Sequence, residues 1–112
     1  MTLHGKSLIA GVLADKSTRT FHAVSPLDNQ RLEPAFHESP TDDVDRALQL
    51  ADDALPALRN ADARATLLEK IADEILAPGD ALLHRAHQET GLPIDRLTGE
   101  RGRTIGQLRL FA

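Results

Sequence analysis

The sequence has no cysteine, no tryptophan and no tyrosine, and its only aromatic residues are three phenylalanines. Without a thiol, these residues supply no disulfide, no thiolate metal ligand and no cysteine nucleophile. With three Phe as the only aromatic side chains, platforms for stacking bases are scarce. A cationic excess is missing as well: 13 Lys and Arg stand against 17 Asp and Glu, a formal net charge of −4. Nucleic-acid binding needs a clustered basic face, so that class is set aside, and the mild acidity favours solubility. No apolar run approaches the ~20 residues of a membrane span. The run at residues 8–14, after Lys6, is interrupted by Gly11 and follows a polar start. A buried strand explains it more simply than a secretory leader, and the chain is read as cytoplasmic.

What is present is helical amphipathicity. The 112 residues are enough for one domain, and a chain of this size can bury roughly two-thirds of its unfolded surface. Two consecutive helices organise it. In the first, Val44, Ala47, Leu48, Ala51, Ala54, Leu55 and Leu58 recur at spacings of three and four, with Asp42, Asp43, Asp45, Arg46, Gln49, Asp52 and Asp53 opposite. In the second, Leu67, Leu68, Ile71, Ala72, Ile75 and Leu76 form the stripe. Pro56 is expected to end or kink the first helix between Ala54 and Leu58. Thr41 is expected to cap it through its hydroxyl, and Asp62 to open the second. Pro78-Gly79 closes that helix, Asp80 starts a third, and Gly91 sits where a left-handed C-cap belongs, with Pro93 beyond. A fourth helix runs from about Ile94 to the last residue. Ahead of the helices, residues 7–13 and 19–24 read as strands paired in a hairpin through a polar turn at 15–18, with Gly11 a bulge or close-approach point. Residues 25–30 are a loop, and 31–37 a third strand held to an edge by Pro34.

The fourth helix is unusual. Leu97, Arg101, Thr104, Ile105, Leu108, Phe111 and Ala112 share one side, and apolar content rises toward the end, where no Gly, Asn or polar tail follows. The chain is therefore expected to be a fragment whose last apolar face meets residues that are absent. Gly99, Gly102 and Gly106 lie on one helical side and are expected to admit another element closely, since each interior Gly costs about 1 kcal/mol. The same stretch lacks the Gly-Lys-Ser/Thr ending and the preceding strand of a phosphate loop. Arg96, Arg101, Arg103 and Arg109 read as solvated or paired with Glu100 and nearby acids.

Other chemistry is thin. His84 and His87, three apart on a helix, could share a metal, but no third or fourth ligand stands at a suitable spacing; helix-end or solvent-facing roles fit better. His4, His22 and His37 are isolated. The Asp run from 42 to 53 follows no calcium-loop pattern. No catalytic, cofactor-binding or metal-ligating residue is assigned.

In order, the pieces are a hairpin, the turn at Ser25-Pro26, and Thr41-Asp42-Asp43-Val44-Asp45-Arg46-Ala47. Arg64-Ala65-Thr66-Leu67-Leu68-Glu69-Lys70-Ile71-Ala72-Asp73 and Glu89-Thr90-Gly91-Leu92-Pro93 follow. This succession resembles the N-terminal part of the aldehyde dehydrogenase superfamily. The closing stretch from Gly99 to Ala112 looks like the branch that oxidises 2-oxoglutarate semialdehyde (2,5-dioxopentanoate) to 2-oxoglutarate. One departure is Ser25-Pro26, where many relatives have Asn-Pro.

The resemblance implies an α+β fragment: an N-terminal hairpin and about four helices at the periphery of the α/β, Rossmann-like coenzyme-binding domain. Residues 1–38 would be strands and loops, and 39–112 helices. It also implies chemistry that uses a Cys thiolate, amide donors for the oxyanion, a nicotinamide hydride acceptor and a Glu-activated water. By resemblance those groups, and the NADP or NAD site, lie beyond Ala112. The fragment is expected to be inactive and to bind no cofactor; its partner is the remainder of the dehydrogenase, itself a homo-oligomer. The competing reading is a helical module that dimerises through its fourth helix. A small secreted protein is disfavoured by the absent Cys.

Overall fold

The computed structural model describes residues 3–14 and 17–112. Its first turn is decided by Ala10 and Gly11. Both hold positive φ, 48° and 78°, the two-residue turn geometry whose twist matches paired strands. β1 (Ser7–Ile9) thus folds directly back on β2 (Val12–Ala14), with Ile9 opposite Val12. This corrects the single strand expected over 7–13 and its pairing with 19–24. Gly11 is a turn residue; Ala rather than Asn or Asp at the preceding position hid the signal. The hairpin is also less buried than expected, with Leu8, Val12 and Leu13 exposed and Ile9 turned inward. Asp15 and Lys16 of the expected polar turn lie outside the described residues.

β3 (Thr20–Val24) pairs instead with β4 (Arg31–His37), Phe21 opposite Phe36 and Ala23 opposite Leu32, with a register shift between Phe21 and Ala23. The loop between them is closed by its own polar groups. Ser25 N–H donates to the Gln30 carbonyl at 2.9 Å, Asn29 N–H to the Ser25 carbonyl at 2.9 Å, and Gln30 N–H to Asp28 Oδ1 at 3.1 Å. A two-stranded sheet has no central strand, so it accommodates Pro34, which lacks a donor.

The helices are α1 (Thr41–Ala54), α2 (Ala61–Leu76), α3 (Asp80–Thr90) and α4 (Ile94–Phe111), with a 3₁₀ turn over Leu55–Leu58 at Pro56. Two caps differ from expectation. Pro40, not Thr41, is the N-cap of α1, and its carbonyl accepts from the Asp43 and Val44 N–H groups at 3.0 and 3.2 Å. Thr41 is already the first helical residue, so its hydroxyl makes no cap bond. At α2 the cap is Asn60, whose Oδ1 accepts from Asp62 N–H at 2.8 Å. The C-terminal signals hold: Gly91 is left-handed at φ 71°, and its N–H donates to the His87 carbonyl at 2.8 Å.

The core lies where α2, α3 and α4 meet. Ala72 of α2 is 0% exposed, and Leu83 of α3 and Ile105 of α4 are buried as well. Arg101 Nη1 donates to the Gly79 carbonyl at 2.9 Å, fixing α4 to the α2–α3 turn. Much of the apolar surface stays outside. The molecule is a flattened body of 48 × 36 × 18 Å. Its radius of gyration is 16.6 Å, against roughly 13 Å for a compact domain of this length. Its surface is 8100 Å², about 2,000 Å² above a compact monomer of this size.

Candidate functional site

The residues singled out in the sequence do not converge. His87 Nδ1 lies 2.7 Å from the Leu92 carbonyl, a bond across the α3–α4 turn, while His84 is exposed. His37 Nδ1 faces the Ser17 carbonyl at 3.0 Å, and His22 Nε2 sits 3.3 Å from Glu33 on the β3–β4 sheet. Among the described residues no cluster of three metal-ligating side chains forms. The arginines divide. Arg101 is committed to Gly79, Arg109 to Asp73 at 3.2 Å, and Arg103 is 3.9 Å from Glu100 at the surface. The close packing expected at Gly99, Gly102 and Gly106 does not occur among the described residues, for a methyl added at any of the three would meet nothing within 4 Å.

The structure does build apolar surfaces. Between α2, α3 and α4 lies a cleft of about 220 Å³ lined by Ile75, Leu82, Leu83, Ala86 and Leu97. On α4, Ile105 is buried and Leu108 half-buried against this cluster, but Leu110 and Phe111 stay exposed, Phe111 at 75%. The apolar side of α4 is therefore open only at its end. α1 departs further from its predicted face. It turns Asp43, Ala47 and Leu50 inward and leaves Val44 and Leu48 outside, as is Leu55 of the following 3₁₀ turn. Two grooves run between α1 and the β1–β2 hairpin and share Ile9 and Ala47. α2 repeats the pattern, with Ala72 inside and Leu67, Ile71 and Leu76 exposed.

Sequence reasoning missed two charged residues. Asp43, assigned to the solvated face, is buried; its position four residues before Ala47 put it at the margin of the stripe and was the available signal. Arg85 ties α3 to β4. Its Nε donates to Glu89 Oε1 at 2.5 Å, its Nη1 to the Glu33 carbonyl, and its guanidinium carbon lies 5.8 Å from the Phe36 ring centre. No local pattern announces a contact 52 residues apart. In the β3–β4 loop, the Ser25 hydroxyl and then the Gln30 N–H hold the Asp28 carboxyl below the ordinary carboxylate range.

This is a scaffold's geometry, with hydrogen bonds at turns and caps and uncovered apolar faces. A family model for the aldehyde dehydrogenase family matches residues 13–112. The chain belongs to the aldehyde dehydrogenase family. As a family member it is 51% identical over 115 residues to alpha-ketoglutaric semialdehyde dehydrogenase 2 of Azospirillum brasilense, covering 100% of this chain and 22% of that protein. It is 39% identical over 111 residues to alpha-ketoglutaric semialdehyde dehydrogenase of Acinetobacter baylyi, covering 97% of this chain and 21% of that protein. The chain thus spans about a fifth of the length of these dehydrogenases. Its two hairpins and four helices are an α+β portion of an aldehyde dehydrogenase domain.

Proposed function

We propose that this chain is the N-terminal layer of an NAD(P)-dependent dehydrogenase that oxidises 2-oxoglutarate semialdehyde to 2-oxoglutarate. On this reading the layer contributes structure and no reacting group. The observation that carries the substrate is the 51% identity, along all of this chain, to an enzyme named for that semialdehyde. The absence of any Cys supports the division of labour, because the family's thiolate nucleophile must come from elsewhere. NADP or NAD would supply the hydride acceptor, held by residues outside this layer. The exposed apolar residues of α1 and α2, Val44, Leu48, Leu67 and Ile71 among them, support a layer that other parts of the enzyme cover. The parent is proposed to be a cytoplasmic homo-oligomer.

The test is a full-length chimera in which this chain replaces the aligned stretch of the Azospirillum brasilense enzyme. The chimera is expected to oxidise 2-oxoglutarate semialdehyde, followed as reduced nicotinamide at 340 nm, and the 112-residue chain alone to show no turnover. Turnover by the chain alone, or an insoluble or inactive chimera, would overturn the proposal. The exposed Leu110 and Phe111 favour one rival, a module that dimerises through α4. A single monodisperse oligomer of the isolated chain that Phe111→Asp breaks into monomers would support that rival.

A further inference from the structure

β3 and β4 pair with each other, yet among the described residues neither strand packs broadly on a helix, whereas α2 and α4 lie along one another. Phe21, Val24 and Leu27 of the hairpin remain exposed, so apolar burial does little to seat it. The helix α3 and its C-cap meet the hairpin at two points. At the cap, Gly91 faces the hairpin loop, where an added methyl would come within 3.2 Å of Pro26 Cγ. Roughly a turn and a half earlier stands Arg85, whose side chain is only 14% exposed. Its Nε donates to Glu89 Oε1 on the same helix, its Nη1 to the Glu33 carbonyl of β4, and its guanidinium carbon lies 5.8 Å from the Phe36 ring centre. Phe36 in turn stacks on Phe21, with ring centres 5.7 Å apart. The remaining nitrogen, Nη2, is buried and has no acceptor among the described residues.

A desolvated nitrogen without an acceptor makes this guanidinium a poor source of stability. Its removal would strand no buried partner, because Glu33 and Glu89 are exposed residues that water can reach. What the group supplies is direction. A planar fork that bonds two elements and lies over a ring fixes an angle that one apolar contact cannot. We infer that Arg85 is a positioning residue: it sets the angle of the β3–β4 hairpin on α3, with Pro26 against Gly91 as the pivot, and adds little to stability. Without it the loop contact at Gly91 remains, and the hairpin is free to rock about that point. The angle decides where the exposed strip of Phe21, Val24 and Leu27 lies relative to the helices. The inference concerns this chain alone and stands independently of the proposed function.

The cysteine-free chain allows a clean pair of labels. Nitroxides on Thr20→Cys of β3 and Gln107→Cys of α4, both exposed positions, report the hairpin angle as a distance distribution in pulsed dipolar electron resonance. With Arg85 in place the distribution should be narrow. Arg85→Met should widen it at least about twofold while lowering the urea midpoint by less than about 0.5 M. Arg85→Lys keeps the charge but loses the fork, and should widen it as well. A distribution already broad with Arg85 in place overturns the inference. So does one that stays narrow in Arg85→Met, since the apolar contacts would then suffice. A larger fall in the midpoint makes Arg85 a stabilising residue and overturns it too. A narrow distribution in Arg85→Lys assigns the angle to charge alone, with the same consequence.

Discussion

Ile105→Ala and Leu48→Ala remove the same three carbons from opposite environments, and their difference tests the packing described above. Ile105 is 6% exposed on α4, which packs on α2. At about 0.8 kcal/mol per buried methylene, the lost transfer energy is about 2.4 kcal/mol. A residual cavity adds to this, and the adjoining cleft lets neighbours relax, so about 2.5–3 kcal/mol is expected. Leu48 is 66% exposed, so only about a third of the same transfer energy, roughly 0.8 kcal/mol, is at stake in the isolated chain. Urea unfolding followed by helical circular dichroism reads both. With a urea slope of about 1–3 kcal/mol per molar, Ile105→Ala should lower the midpoint by about 1–3 M and Leu48→Ala by about 0.3–0.8 M. Equal costs, or a larger cost for Leu48, would refute the assignment of α4 to the core and of α1 to an open face.

Further substitutions test the local chemistry. Gly99→Ala, Gly102→Ala and Gly106→Ala together should stabilise the isolated chain by about 2 kcal/mol in urea unfolding, since each site is helical and open. Gly91→Ala should do the reverse by about 1 kcal/mol or more: its φ is 71°, and a methyl there would come within 3.2 Å of Pro26 Cγ. Asn60→Ala should cost about 1 kcal/mol through loss of the cap on Asp62 N–H, read by the same assay. Asp28, with its carboxyl held low by Ser25 and Gln30, should titrate below a peptide aspartate in an NMR pH series. Because the folded value is the lower one, its contribution is present above the unfolded pKa and lost as pH falls through the folded pKa. An Asp28 titration at the ordinary value would remove the loop's closing bonds from the account.

Much of the fold was legible because short-range chemistry decides it. Pro56, Pro78-Gly79 and Gly91-Leu92-Pro93 punctuate the helices through missing donors and left-handed backbone, and each boundary falls there. Strand pairing was less legible. The sequence offered Gly11 as a bulge and Asp15 to Thr18 as a turn, whereas Ala10 adopts a left-handed conformation that its side chain does not advertise. Periodicity found the apolar stripes of α1 and α2 but could not say which stripe residues meet a neighbour. That choice depends on tertiary packing, and it left Val44, Leu48 and Leu67 outside while drawing Asp43 in. The site was legible only as similarity. No reacting residue announced itself, and the contacts of Arg85 and Asp43 are tertiary.

The central claim is that the outer face of α1 is uncovered in this chain and covered in the complete enzyme. Amide hydrogen exchange across α1, measured in the isolated chain and in the active chimera, tests it most directly. The account expects α1 amides from Val44 to Ala54 to exchange quickly in the chain, faster than those around Ala72 and Ile105, and to slow by orders of magnitude in the chimera. Equal protection of α1 in both proteins would contradict it.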